Sequence, residues 1–182
     1  MNALTPLEAV MNITRCCNGM MAASGPNPPG NVAAVVQGDP ADLPCDAYVV
    51  PQRVEQPGQF GEVELISSGG ANSRYLINIF ALGILDDEVD EALESLGFTV
   101  NRVLSQTEKR GLDRIVFPRF DIGQPILLTP VQSATAIFGA LYSYWEMQPN
   151  AGPHQFIVVV ENDLLLKTYS EILLRIWASF TR

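Results

Sequence analysis

Apolar and polar residues along the chain form short blocks that predict alternating strands and helices. Strands are expected at 32–36, 47–50, 62–67, 74–82, 115–118 and 155–160, where the residues are apolar or alternate and are bordered by Gly and Pro. Helices are expected at 86–96, 99–110, 129–145 and 163–180, where apolar residues recur at helical spacing. Gly97 is expected to separate the first two helices, and Pro51 to end the second strand. This alternation predicts an α/β fold, a three-layer α/β/α sandwich around a central mixed, mostly parallel sheet.

The first 31 residues differ in pattern from the rest of the chain. A short helix is expected at 6–15, and the stretch 24–30 that follows is too rich in Pro and Gly for regular structure. With 182 residues, the chain is long enough for one sizeable core. We therefore expect an N-terminal arm and linker over 1–31 and one domain over 32–182.

Charge and composition exclude several classes of partner. Eleven Lys and Arg against twenty Asp and Glu give a net charge of -9, which makes nucleic acid an unfavourable partner. The apolar runs are shorter than the roughly 20 residues that a membrane-spanning helix needs, and the N-terminus does not resemble a secretory signal. We expect a soluble, cytoplasmic protein that binds neither nucleic acid nor membrane.

The residues that most often carry chemistry show no matching motif. Cys16, Cys17 and Cys45 are expected to be reduced thiols, since their number and spacing suit neither disulfides nor a metal site. His154 has no nucleophile motif near it, and acidic residues within 86–94 are expected to form a solvated helix face. Phosphate-loop and dinucleotide fingerprints are absent from the sequence. No catalytic residue, metal or cofactor is therefore expected.

Ligands of α/β folds usually bind at the carboxyl ends of the strands. The segments that follow predicted strands are 38–43, 51–61, 119–128 and 161–163. These segments are where a ligand site is expected.

Four stretches of the chain resemble, in order, the macro domain family of ADP-ribose-binding α/β modules. Residues 35–50 are similar to its opening strand, Gly-Asp-Ile-Thr turn and Asp-Ala-Ile-Val strand. Residues 61–69 are similar to its third strand, 109–118 to the segment before a phosphate loop, and 156–174 to its last strand and helix. The resemblance covers about residues 32–180 and implies a macro-like domain with an ADP-ribose-type ligand.

The resemblance implies a ligand site around the first of these turns. Asp39, between Gly38 and Pro40, would accept a hydrogen bond from the adenine amino group, which suits an ionised carboxylate. An alternative stays open, in which Asp39 only caps the backbone amides that follow it. Pro40 departs from the family pattern and removes one backbone donor.

Other family motifs are altered in ways that bear on catalysis and phosphate binding. Val50-Pro51-Gln52-Arg53 stands where hydrolytic macro domains carry Asn-Ala-Ala-Asn, so Arg53 replaces the second asparagine, and the glycine-rich loop that should follow is missing. In the second phosphate loop Gly123 is retained, whereas Asp121 introduces a negative charge. Arg119 or Arg53 could offset that charge by binding phosphate. Phe120 or Phe60 could substitute for the aromatic residue that is missing after the last strand.

Three functions follow, in order of preference. The first is a non-catalytic module for ADP-ribose or a related phosphorylated ligand, with Gly38, Asp39, Pro40, Arg53, Arg119, Phe120, Asp121 and Gly123 at its site. The second is a structural or oligomerising domain that has lost its ligand, for which a homo-oligomer is expected. The third is a hydrolase of ADP-ribose derivatives with Asp121 as base.

Overall fold

Six strands form one sheet in the computed structural model, which describes residues 31–53, 62–68, 72–82, 89–120 and 128–180. In chain order the strands are β1 (Val32–Gln37), β2 (Cys45–Arg53), β3 (Val63–Ser67), β4 (Ser73–Leu82), β5 (Arg114–Pro118) and β6 (Gln155–Val160). Their spatial order is β1-β6-β5-β2-β4-β3, and every pair is parallel except β3 with β4. The predicted mixed, mostly parallel sheet is confirmed.

Three helices of the described chain pack on one face of this sheet. They are α1 (Val89–Lys109), α2 (Pro130–Met147) and α3 (Asp163–Phe180). The alternation of strand residues separates the two faces: Ala33, Val35 and Val158 belong to the same buried cluster as the helices. Ala34 and Val159 point the other way, into a smaller cluster with Leu43. Both faces are thus buried, as expected for a largely parallel sheet.

The two helices expected at 86–96 and 99–110 are one helix, so the prediction that Gly97 ends a helix was wrong. A glycine within a helix costs about 1 kcal/mol relative to alanine. On the buried side of α1, Val100, Val103 and Leu104 are fully buried, and burying each such side chain is worth about 1.5–3 kcal/mol. Packing of this face therefore outweighs the cost of the glycine.

The prediction that β2 stops at Pro51 was also wrong, because β2 continues to Arg53. Pro51 lies opposite Ile79 of β4. On its other side, β2 pairs with β5 only at Ala47 and Tyr48, so at Pro51 a strand lies on one side alone. A residue without an N–H is tolerated where one side of a strand is unpaired.

The predicted starts of α2 and α3 are confirmed. The Thr129 hydroxyl accepts from the Gln132 N–H at 3.3 Å, and the Gln132 side chain accepts from the Thr129 N–H at 2.9 Å, which forms a capping box ahead of Pro130. Asp163 is the first residue of α3, and the Asn162 side chain caps it by accepting from the Leu165 N–H at 3.0 Å.

Several predictions fall outside the described residues. These are the helix at 6–15, residues 1–30 of the arm and linker expected over 1–31, residues 54–61 of the loop expected at 52–61, and the start of the first helix at 86–88.

The Asp46 carboxylate holds the segment before β5 against the start of β2. One of its oxygens accepts from the N–H groups of Asp113, at 2.8 Å, and Arg114, at 3.0 Å. Replacing Asp46 by asparagine keeps the shape but removes the charge from both hydrogen bonds. We expect the free energy of unfolding to fall by about 1–1.5 kcal/mol, because hydrogen bonds to charged groups contribute more than neutral ones.

Urea denaturation followed by tryptophan fluorescence measures this loss. Glu94→Gln is the matched control, since it removes one negative charge from an exposed position on α1. An Asp46→Asn variant as stable as Glu94→Gln would contradict the role given to Asp46.

Cys45, at the start of β2, carries a free thiol. Burial, with a smaller contribution from the neighbouring Asp46 carboxylate, raises the pKa of this thiol to about 11, although Arg114 partly opposes the shift. Since the thiolate is the reactive form of cysteine, Cys45 is a poor nucleophile at neutral pH.

Candidate functional site

A cleft of about 370 Å³ lies at the carboxyl ends of four parallel strands. Gly38 follows β1, Tyr48 and Pro51 belong to β2, Pro118 ends β5, and Glu161 follows β6. Strands β1, β6, β5 and β2 are neighbours in the sheet, so their ends meet at one edge. The cleft therefore lies where ligands of α/β folds usually bind.

Most of the described residues of the cleft wall are apolar. Pro40, Pro51 and Pro118 contribute ring surface and no backbone N–H. Val159 and Phe120 add further apolar surface. Such a wall suits the flat face of an aromatic ring better than it suits a strongly hydrated group.

Gly38 and Asp39 shape one end of the cleft. The Gly38 N–H donates to the Val160 carbonyl at 3.1 Å, which extends the pairing of β1 with β6 by one residue. One oxygen of the Asp39 carboxylate accepts from the Ala41 N–H at 2.8 Å and caps the short 3-10 turn Pro40–Asp42. The contact expected if Asp39 caps the turn is therefore present. An ionised carboxylate accepts further hydrogen bonds, so a ligand donor can still be bound.

Two further contacts hold the turn Pro40–Asp42 in place. The Asn72 side-chain amide donates to the Ala41 carbonyl at 2.7 Å. Leu43, just after the turn, is buried in the smaller cluster beneath it. The position of Asp39 is therefore set by packing and by hydrogen bonds on both sides of the turn.

Phe120 lines the cleft but is largely part of the core. Only 4% of it is exposed, and its ring centroid lies 5.2 Å from that of Phe117. Phe117 in turn stacks on Phe156 at 5.3 Å. Phe120 is therefore held by its neighbours, so its ring is not positioned to cover a ligand as a mobile aromatic would.

Tyr48 is a cleft residue that the sequence analysis did not single out. It is half-buried and lies on the sheet face opposite Ala47 and Val49, among the partners of the smaller cluster. Burial raises the pKa of Tyr48, and the negative charge of Asp39 adds to the effect, so its hydroxyl stays neutral. The sequence shows an aromatic residue within a strand of alternating pattern. Only the sheet shows that this part of the strand lies at the cleft.

Arg119 meets a carboxylate at the rim of the cleft. Its Nε lies 2.7 Å from one oxygen of Glu161 and 2.9 Å from the other. The Gln37 side chain donates to the Glu161 carbonyl at 3.5 Å and ties this residue to the end of β1. Glu161 belongs to the segment 161–163, where a ligand site is expected, but no sequence pattern predicts its role, because its pairing with Arg119 requires β5 and β6 to be neighbours.

Of the eight residues expected at the site, the structure brings Gly38, Pro40, Arg119 and Phe120 to the cleft, with Asp39 between the first two. Arg53 ends β2 at the same edge of the sheet, but the structure does not describe its side chain. Asp121 and Gly123 lie outside the described residues.

In the described ranges of the chain, no helix has the length and apolar character that a membrane crossing requires. Within the same ranges, no group of three or more His, Cys, Asp and Glu side chains is placed to hold a metal ion.

Comparison with known proteins gives a structural likeness without a sequence match. No family model and no curated protein matches the chain. The Oceanobacillus iheyensis macrodomain with ADP aligns over 88% of this chain and 99% of its own, with a TM-score of 0.71 and 16% identity. The Trypanosoma brucei macrodomain in complex with ADP aligns over 80% of this chain and 70% of its own, with a TM-score of 0.64 and 18% identity.

A third structure extends the likeness. The macro domain of ganglioside induced differentiation associated protein 2 aligns over 86% of this chain and 92% of its own, with a TM-score of 0.65 and 15% identity. These alignments span most of each chain, and they agree with the strand order and the mixed sheet described above. The chain therefore has the macrodomain fold.

Proposed function

We propose that this protein is a binding module for ADP-ribose or a closely related nucleotide, and that it does not turn its ligand over. The observation that carries the proposal is the cleft beside Asp39 at the carboxyl edge of a macrodomain sheet. Two structures of the same fold contain ADP. Fold likeness alone does not assign a ligand, so the chemistry of the cleft has to support it.

The size and lining of the cleft favour a nucleoside. A volume of about 370 Å³ is at the small end of the range for ligand pockets and suits one ring system with its sugar. Tyr48 and the proline rings offer surface against which a base can stack or pack. Asp39 supplies an acceptor at one end of the cleft for an exocyclic amino group.

The arrangement of the described cleft residues supports binding rather than catalysis. A hydrolase needs a nucleophile or a water-activating base with a group that orients it. The Glu161 carboxylate is paired with Arg119, and the Asp39 carboxylate caps a turn. By the resemblance to macro domains, Val50, Pro51 and Gln52 occupy the first three positions of the asparagine motif that hydrolytic members carry.

Calorimetric titration with ADP-ribose tests the proposed function. We expect micromolar binding by the wild-type protein, and at least about tenfold weaker binding by Asp39→Asn, since one lost charged hydrogen bond is worth about 1.5–3 kcal/mol. Asparagine at this position can still cap the turn through its side-chain oxygen, so the cleft keeps its shape.

Asp42→Asn is the matched control, because it removes an equal charge from an exposed position in the same turn. It should leave the affinity unchanged. If millimolar ADP-ribose produces no heat with the wild-type protein, the proposal is wrong, and the interaction-domain alternative replaces it. Equal losses in Asp39→Asn and Asp42→Asn would place the ligand elsewhere than beside Asp39.

A further inference from the structure

The ion pair at the rim gives the cleft an unusual balance of charge. Glu161 and Arg119 both line it, and Asp39 lies between two further lining residues. Among the described residues, the Glu161 carboxylate and the nearby Asp39 carboxylate therefore accompany the Arg119 guanidinium, whose Nε lies 2.7 Å and 2.9 Å from the two Glu161 oxygens. The Glu161 side chain is the more exposed partner, at 51% against 20% for Arg119. The carboxylate is therefore the more accessible of the two groups.

Among the described residues, the same cleft offers an anion few donors. Phosphate sites are usually built from converging backbone N–H groups and cationic side chains. Three of the lining residues are prolines and have no N–H to offer. The cation that lines the cleft, Arg119, already has a carboxylate at hydrogen-bonding distance. A phosphate placed here would have to compete with Glu161 for Arg119 and would be repelled by it.

We propose that Glu161 is a specificity-determining residue of the cleft: it keeps anionic groups out and thereby selects the uncharged nucleoside end of the ligand. This inference rests on the proposed function in that it concerns the same cleft. It specifies the ligand orientation, because any phosphate must then lie outside the space that Glu161 and Arg119 border. The ligand class for the cleft itself is an uncharged purine nucleoside.

The test compares two probes on three proteins. Adenosine and inorganic pyrophosphate are titrated separately into the wild-type protein, Glu161→Gln and Glu94→Gln, with binding followed by NMR chemical-shift changes. Glutamine keeps an oxygen that can accept from Arg119 Nε, so the rim should keep its geometry. Glu94→Gln controls for the same change in net charge at an exposed position on α1.

We expect Glu161→Gln to bind pyrophosphate about tenfold more tightly than the wild-type protein, because a repelling and competing carboxylate is removed. Its affinity for adenosine should stay within about twofold of the wild-type value, because the Glu161 charge is not expected to contact this uncharged ligand. Glu94→Gln should change neither affinity. The inference is overturned if Glu161→Gln and Glu94→Gln bind pyrophosphate equally, or if Glu161→Gln loses adenosine affinity severalfold.

The outcome separates this inference from the proposed function. If the wild-type protein binds neither adenosine nor ADP-ribose while Glu161→Gln still gains pyrophosphate affinity, the proposed function is wrong and the anion-excluding role of Glu161 is supported. If adenosine binds but Glu161→Gln gains nothing over its control, the proposed function stands and the inference about Glu161 is wrong.

Discussion

Replacing Phe117 by alanine is expected to lower the free energy of unfolding by about 3–5 kcal/mol, the range seen when a buried phenylalanine is removed from a core. Phe117 is 0% exposed and contacts the rings of Phe120 and Phe156 on either side. Its loss leaves a cavity at the end of β5, directly behind the wall of the cleft. Because whole domains are stable by only about 5–15 kcal/mol, this single change removes a large share of the total.

Urea denaturation followed by tryptophan fluorescence provides the measurement. Phe98→Ala is the matched control: the Phe98 ring is 58% exposed on α1, and alanine favours helix, so stability should change by less than about 0.5 kcal/mol. Should Phe117→Ala fail to fold, Phe117→Leu is expected to cost about 1–2 kcal/mol. Equal stabilities of the Phe117 and Phe98 variants would show that the ring cluster does not support this edge of the sheet.

Replacing Tyr48 by alanine is expected to weaken ADP-ribose binding by about 10- to 100-fold. The reason is the loss of base–aromatic contact, which is worth about 1–3 kcal/mol per base. Tyr48 lines the cleft and is half-buried, whereas Phe120 is buried against Phe117. Tyr48 is therefore the aromatic side chain of the described cleft that is best exposed to a ligand.

Tyr48→Phe is the conservative variant and keeps the ring. Since the pKa of Tyr48 is raised and its hydroxyl is neutral, losing the hydroxyl should change the affinity by no more than about threefold. Calorimetric titration of both variants with ADP-ribose gives the comparison. A Tyr48→Phe variant as weak as Tyr48→Ala would mean that the hydroxyl, rather than the ring, binds the ligand.

The described residues of the cleft differ from those of a phosphate-binding site in the donors that they offer. The wall that they form is mostly apolar, three of them are prolines without a backbone N–H group, and the Arg119 guanidinium is paired with a carboxylate. These features favour an uncharged ring system over an anion. They explain why ADP-ribose affinity is expected to depend on Asp39 and Tyr48, while pyrophosphate affinity is expected to depend on Glu161.

Local sequence signals were sufficient to predict most of the strands and helices. The capping box of α2 lies within four residues, so the chain carries its own start signal for that helix. Apolar runs such as 155–160 and 115–118 are long and β-branched enough to predict buried strands. The two errors, at Gly97 and Pro51, share one physical cause. Packing and strand pairing from distant parts of the chain outweighed the local preference of a glycine and a proline.

The sequence alone determined the α/β class, the order of the six strands along the chain and the edge of the sheet where a cleft should lie, because these depend on periodicity and on the rules of parallel sheets. The tertiary structure decided which side chains share the cleft. Glu161 and Arg119 are 42 positions apart and meet only because β5 and β6 are neighbours. Tyr48 joins them because β2 pairs with β5 at that position. Such contacts depend on the order of strands in space, which no local pattern encodes.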